Sequence, residues 1–297
     1  MSHDSDAMPW DGIAARISDA TAMRFRCERA IPASGGSINR AFVLEGNGNR
    51  YFVKLNQPSR APMFEAEAAG LAALAATGTI RVPRAICTGM DAGCAWIVLE
   101  HLALRATGDW RQFGERLAAL HRHGAQHFGW ERDNTIGSTL QPNQPHEDWV
   151  VFLRERRLGH QLALALRNGH RALAQDGARL LERLPDFFTG YQPGPSLLHG
   201  DLWSGNAGFL PDGEAVIYDP AVYFGDREAD LAMTELFGGF PPGFYHAYAA
   251  AWPLDGDYGV RKDLYNLYHL LNHLNLFGSG YFCACADTIS RLLARTG

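Results

Sequence analysis

The stretch His199–Asp219, HGDLWSGNAGFLPDGEAVIYD, constrains this chain more than any other. Asp201 and Asn206 have four residues between them, and Asp219 ends the apolar run Ala215–Val216–Ile217–Tyr218. Pro211–Asp212–Gly213, set between two apolar runs, is a turn signal. Gly200, Gly205 and Gly208 permit tight backbone. The spacing predicts a loop, a β-hairpin and a second acidic position brought back beside the first. Asp and Asn also serve as ordinary loop residues, because their side chains bond nearby backbone. The interval therefore gains its meaning from the hairpin and the acid that follow it.

A protein-kinase catalytic loop uses the same D-x-x-x-x-N interval, followed by a short hairpin and a metal-binding Asp. The chemistry explains the residue types. A hydroxyl nucleophile must be oriented and relieved of its proton, and magnesium must be held over a transferring phosphate. One carboxylate, one amide and a second carboxylate meet that need when folded onto one spot.

At 297 residues the chain can bury a sizeable core and form two lobes. A hydrophobic share of 46% and a charged share of 20% are those of an ordinary globular protein. The net charge of −5 argues against a general nucleic-acid binder. No stretch approaches the roughly 20 apolar residues of a membrane span, and the opening MSHDSDAMPW lacks the pattern of a signal peptide. Five scattered cysteines suggest reduced thiols, so the expected setting is the cytoplasm. Of 27 basic residues only Lys54 and Lys262 are lysine. In such a chain a lysine inside a strand asks for a reason, because it is a compact point charge where arginine is a planar fork.

In chain order, residues 9–22 read as an amphipathic helix. Strands follow at Phe25–Ile31, Arg40–Leu44 and Arg50–Leu55, the last two joined through Gly46–Asn49, an antiparallel meander. The Ser/Gly loop between the first two, containing Gly35, Gly36 and Ser37, offers backbone N–H groups to phosphates, although by itself it reads as a simple turn. It lacks the G-x-x-x-x-G-K-[ST] spacing, which excludes a P-loop fold. Lys54 alternates with Phe52 on one strand face. Glu67 falls on the apolar stripe of a helix over Pro62–Ala76, and a buried carboxylate needs a partner. Lys54 is the natural one. Strands at Val82–Cys87 and Ala95–Glu100 complete a five-stranded sheet crossed by one helix. Glu100–His101–Leu102–Ala103 then leaves the sheet as a hinge whose backbone could pair with an adenine edge. Beyond it the chain turns helical: 109–123, 147–166, 171–184, 226–237, 258–277 and 286–295, with 128–145 a long loop. Phe113, Leu117, Leu120 and His121 fall along one face of the helix over 109–123, while His121, His123 and His127 sit at what looks like an exposed helix end. His269 and His273, four apart on a helix, read as packing or cleft lining rather than zinc ligands.

Five segments resemble the fructosamine/ketosamine kinase family, within the wider group of aminoglycoside phosphotransferases and choline kinases. They are PMFEAEAAGL (62–71), DNTIGSTLQPN (133–143), DWVVFLRERRLGHQL (148–162), LLHGDLWSGN (197–206) and YDPAVYFGDREADLAM (218–233). The resemblance implies an α+β, bilobal protein-kinase-like fold: a nucleotide-binding lobe over 1–100 with a five-stranded antiparallel sheet and one helix, and a larger, mostly helical catalytic and substrate-binding lobe over 101–297. It implies ATP and magnesium, with Lys54 on the α- and β-phosphates, Glu67 holding Lys54, Asp201 as base, Asn206 and Asp219 on the metal, and Asp230 bracing the loop. Residues 34–39 would lie over the nucleotide. The implied acceptor is the 3-hydroxyl of ketosamines, small or protein-borne. The 3-phosphate is unstable and the adduct falls away, so the implied process is protein deglycation.

Two positions depart from the family pattern. Asn143 is followed by Gln144–Pro145–His146 where relatives often carry Gly-Trp, which bears on substrate choice. Ser37 stands where some relatives have cysteine, which removes a redox switch there. The alternatives are a kinase of the aminoglycoside or choline type acting on another alcohol, with the same catalytic set, and a catalytically silent binding module. Intact catalytic positions speak against the second.

Overall fold

The computed structural model describes residues 9–33 and 38–296, so the expectations at Gly35, Gly36 and Ser37 lie outside the described residues. The chain opens with α1 (Trp10–Thr21), then β1 (Arg29–Ala33), β2 (Arg40–Gly46), β3 (Asn49–Asn56), α2 (Ala61–Ala76), β4 (Ala85–Asp91) and β5 (Cys94–Glu100). The five strands form one antiparallel sheet in the order β1-β2-β3-β5-β4. Asn47 and Gly48 close β2–β3 with φ of 50° and 73°, the left-handed pair that a type I′ turn requires.

Strand alternation divides this sheet into two uses. Tyr51, Val53 and Leu55 join Trp96 and Val98 under Ile13 and Ile17 of α1. Phe52 points to the other face, where Ile97 and Leu99 meet Phe64 and Leu71 of α2. Lys54 shares that second face, because side chains two apart on a strand point the same way.

The helical lobe runs α3 (Trp110–His121), β6 (Asn134–Ile136), β7 (Thr139–Gln141), α4 (Trp149–Phe152), a π-helical turn (Leu153–Leu158), α5 (Gly159–Arg167) and α6 (Arg171–Glu182). It continues through β8 (Ser196–Leu198), β9 (Ala207–Phe209), β10 (Ala215–Ile217), β11 (Tyr223–Gly225), α7 (Glu228–Leu236), α8 (Pro242–Ala251), α9 (Tyr258–Phe277) and α10 (Phe282–Arg295). β9 pairs with β10 as the expected hairpin, and β8 pairs with β11. One core cluster joins α2 and β5 to Leu117, Phe209, Ile217 and Phe244, so the lobes share packing.

Several boundaries differ from expectation for identifiable reasons. The first strand does not start at Phe25, because the backbone there bonds side chains instead: Phe25 N–H donates to Ser18 Oγ at 2.9 Å and Arg26 N–H to Asn47 Oδ1 at 2.8 Å. β4 begins after Pro83, which has no N–H to offer a ladder. The segment read as a loop over 128–145 contains the hairpin β6–β7. The helix over 147–166 holds a π-helical turn, and the final helix starts at Phe282 rather than at 286. α8 was hidden by its Gly/Pro-rich approach. It lies so close to α3 that a Cβ on Gly114 would come within 2.3 Å of the Phe244 carbonyl.

Candidate active site

The chain brings Lys54, Glu67, Asp201, Asn206 and Asp219 to one cleft of about 1070 Å³ between the sheet and the helical lobe. Lys54, only 6% exposed, sends Nζ to Glu67 Oε1 at 2.7 Å and also pairs with Asp219 Oδ1. Burial works to neutralise Lys54, but Asp219 and Glu67 outweigh it and raise its pKa, so the ammonium is kept charged. Burial raises the Glu67 carboxyl, and the neighbouring Lys54 opposes that rise. Glu65, two residues earlier on α2, is exposed. Asp219 sits at φ 57°, a left-handed conformation that Asp tolerates better than most residues. Its side chain keeps 41% exposure.

The loop carrying Asp201 is braced from below. Asp230 accepts the backbone N–H groups of His199 and Gly200 at 2.7 and 2.8 Å. His121 Nε2 lies 3.2 Å from Asp230, and its Nδ1 is 2.8 Å from the Tyr248 hydroxyl. Burial alone would raise Asp230, but the bond and charge of His121, with His199 and the Gly200 N–H, hold it below the usual carboxylate range. Gly200 has φ 82°, and a Cβ there would meet the Ala221 carbonyl at 2.1 Å, so only glycine fits. Asn206 Nδ2 donates to the Asp201 carbonyl at 2.9 Å and to Asp201 Oδ2 at 3.3 Å. Burial, then the charge of Asp219, pushes the Asp201 carboxyl up to about 7, a value suited to a general base near neutral pH.

Glu100 and Leu102 line the same cleft. The Glu100 carboxylate takes Arg81 Nη2 at 2.6 Å on both oxygens, and its N–H donates to the Arg84 carbonyl at 2.8 Å. The Glu100 backbone N–H is therefore already engaged within the chain. The Leu102 backbone makes no hydrogen bond among the described residues. Asn134, Thr135 and Trp203 also line the cleft, together with Phe237, whose ring lies 6.0 Å from that of Trp203 and 4.9 Å from that of His273, centre to centre.

His121, read both on the apolar face of its helix and at an exposed-looking helix end, is buried. It follows Phe113, Leu117 and Leu120 on the inward face of α3. Arg157 was missed. The π-helical turn rotates it inward, where it stacks 3.9 Å above the Tyr223 ring and donates to Pro142 O and Asn143 Oδ1, both at 2.7 Å. Asn143 in turn donates to Asn134 Oδ1 at 2.9 Å.

The donors here suit magnesium carried on phosphate. With its Nδ2 committed to Asp201, Asn206 has its amide oxygen to offer, and Asp219 has a second carboxylate oxygen beyond the one on Lys54. Among the described residues no group of three or more His, Cys, Asp or Glu forms a closed cage. Magnesium is typically bound through one or two protein oxygens plus substrate phosphates, so an open pair is the fitting arrangement.

A sheet lobe over a helical lobe, with a paired lysine facing an Asp/Asn/Asp set across the cleft, defines a kinase-like phosphotransferase. A choline kinase from Streptococcus pneumoniae shares this fold, with a TM-score of 0.60 at 14% identity over 96% of this chain and 97% of its own. The family model described as fructosamine kinase matches residues 9–295, and the chain belongs to that family. It is 51% identical over 276 residues to a probable ketoamine kinase from Synechocystis, covering 92% of this chain and 93% of that one. It is 44% identical over 264 residues to a chloroplastic protein-ribulosamine 3-kinase from Arabidopsis thaliana, covering 87% and 81%. A crystal structure from Haemophilus somnus whose description proposes a fructosamine-3-kinase superposes with a TM-score of 0.88 at 30% identity, covering 96% and 97%.

Proposed function

We propose that this chain is an ATP-dependent kinase that phosphorylates the 3-hydroxyl of ketosamines, small or borne on glycated proteins, and so promotes their deglycation. The observation that carries this reading is the convergence of Lys54, Glu67, Asp201, Asn206 and Asp219 on one cleft in a chain matched by the fructosamine kinase family over 9–295. Residues 1–100 form the nucleotide-binding lobe in this reading, and 101–297 the catalytic and acceptor-binding lobe. Lys54, steadied by Glu67, leaves Asp219 for the α- and β-phosphates of ATP when the nucleotide enters. The Glu100–Leu102 backbone receives the adenine. Asp201 orients the acceptor hydroxyl and takes its proton as the γ-phosphoryl is transferred. Asn206 and Asp219 would hold magnesium, which when bound neutralises phosphate charge. Phosphoryl transfer leaves the protein little covalent chemistry, so positioning and charge carry the rate.

The amine-borne sugar enters at the end lined by Asn134, Thr135 and Trp203. Five cysteines, all free, support a cytoplasmic setting. No helix among the described residues is long and apolar enough to cross a membrane. The test is ATP consumption with magnesium against ribulosyl- and fructosyl-lysine, free ribulose, choline and kanamycin. Turnover on a ketosamine alone is expected; turnover only on choline or kanamycin would overturn the acceptor assignment while keeping the catalytic set. Asp201→Asn is expected to lower kcat by about 10²–10⁴-fold with nucleotide affinity kept. Near-wild-type turnover in that variant removes Asp201 from the base role.

A further inference from the structure

His269 is 5% exposed on α9, and its Nδ1 is buried with no hydrogen-bond partner among the described residues. Buried polar atoms almost always find partners, so an orphan beside a reacting group calls for an explanation. Its neighbour one turn on is not comparable, since His273 Nδ1 already meets the His269 carbonyl at 2.8 Å. What His269 Nδ1 faces is the base itself: Asp201 Oδ1 lies 4.0 Å away. That gap is beyond hydrogen-bond reach, yet a modest rotation of the Asp201 carboxylate closes it. The other carboxylate oxygen is held only by the long 3.3 Å bond from Asn206. The base is therefore loosely held on one side and faces an unused donor on the other.

We propose that His269 is the positioning residue of the base: its Nδ1–H closes onto Asp201 Oδ1 when nucleotide and acceptor fill the cleft, and so turns Oδ2 toward the acceptor hydroxyl. The inference rests on Asp201 being the base, as read above. A neutral imidazole suits the task, because it supplies one directed hydrogen without adding charge. Burial keeps this ring neutral, pulling its pKa down to about 3. The role also fixes the tautomer, with the proton on Nδ1.

The test is a double-variant cycle read as separate kcat and KM, using the acceptor turned over in the panel above. His269→Leu is expected to lower kcat by about 10–100-fold, the usual loss when a group that orients a reactive ligand is removed, with KM for magnesium-ATP unchanged. His269→Asn, whose amide can donate from nearly the same place, is expected to recover most of that loss. In an Asp201→Asn background the His269→Leu change should cost nothing further, because its effect passes through the carboxylate. Equal losses for Leu and Asn, a loss confined to KM, or full additivity in the double variant would each overturn the proposal. Retained turnover in Asp201→Asn alone would instead sink the base assignment, so the two failures are distinguishable. If the Leu variant does not fold, nitrogen NMR of the wild-type imidazoles with magnesium, a non-hydrolysable ATP analogue and acceptor decides the matter. The Nδ1–H form, identified by its absence in His269→Asn, supports the proposal, and the Nε2–H form overturns it.

Discussion

His199 and His269 are both held neutral by burial, the second with its pKa pulled down to about 3. Each ring binds a proton more readily once the chain unfolds. The stability they contribute is therefore present above the unfolded value near 6.5 and is lost as pH falls toward the folded value. For His269 the loss by about pH 5 amounts to about 2 kcal/mol. Buried carboxylates such as Asp226 and Glu228, raised by burial, titrate with the opposite sign, so the comparison must be made against a variant. Urea midpoints of His269→Asn are expected to fall less than wild type between about pH 8 and about pH 5; parallel curves would mean that the ring is not titrating on unfolding. The Lys54–Glu67 pair was legible at this scale, since strand alternation and a helical stripe place both charges inward; the second partner of Lys54, Asp219, was not paired with it from the sequence. His269 was not legible as a partner of Asp201. Helical spacing puts it on the inner face of α9, but which loop meets that face is decided by tertiary packing.

At the scale of elements, the π-helical turn at Leu153–Leu158 does what a regular helix would not. One extra residue shifts the helical phase by about 100°, turning Arg157 into the core. There it lies over Tyr223 and Phe152 and holds the Asn143 end of the β6–β7 hairpin. Arg157→Leu is expected to destabilise the fold by about 2–4 kcal/mol, from lost cation–π contact and orphaned acceptors. It should also raise KM for the acceptor more than KM for ATP, because β6 supplies Asn134 and Thr135 to the cleft. Equal changes in the two constants would show that the hairpin stands without Arg157. Periodicity cannot reveal such a turn, since a one-residue phase slip in an apolar helix looks like ordinary scatter. The β9–β10 hairpin was legible because its turn residues, Pro211–Asp212–Gly213, are chemically specific. The pairing of β8 with β11 was not, because its strands are three residues each and far apart in the chain.

At the scale of the whole molecule, sheet and helical lobes meet in one shared apolar cluster and are also bridged by Lys54 and Asp219. Magnesium-ATP at about 100 times its Kd should stabilise the chain by about 2.7 kcal/mol, measured as a shift of the unfolding midpoint. Asp219→Ala should abolish the magnesium-dependent part of that shift; an unchanged shift would remove Asp219 from the metal site. The bilobal plan was legible from the change in composition at Glu100 and from the ordered motifs, whereas the packing of α8 onto α3 was not. Lysine scarcity has its own consequence. Of the two ε-amines, Lys262 is bonded to Glu235 at 2.8 Å and Lys54 is sealed in the cleft. A catalyst proposed to work among reducing sugars thus presents them with almost no ε-amine of its own to condense with.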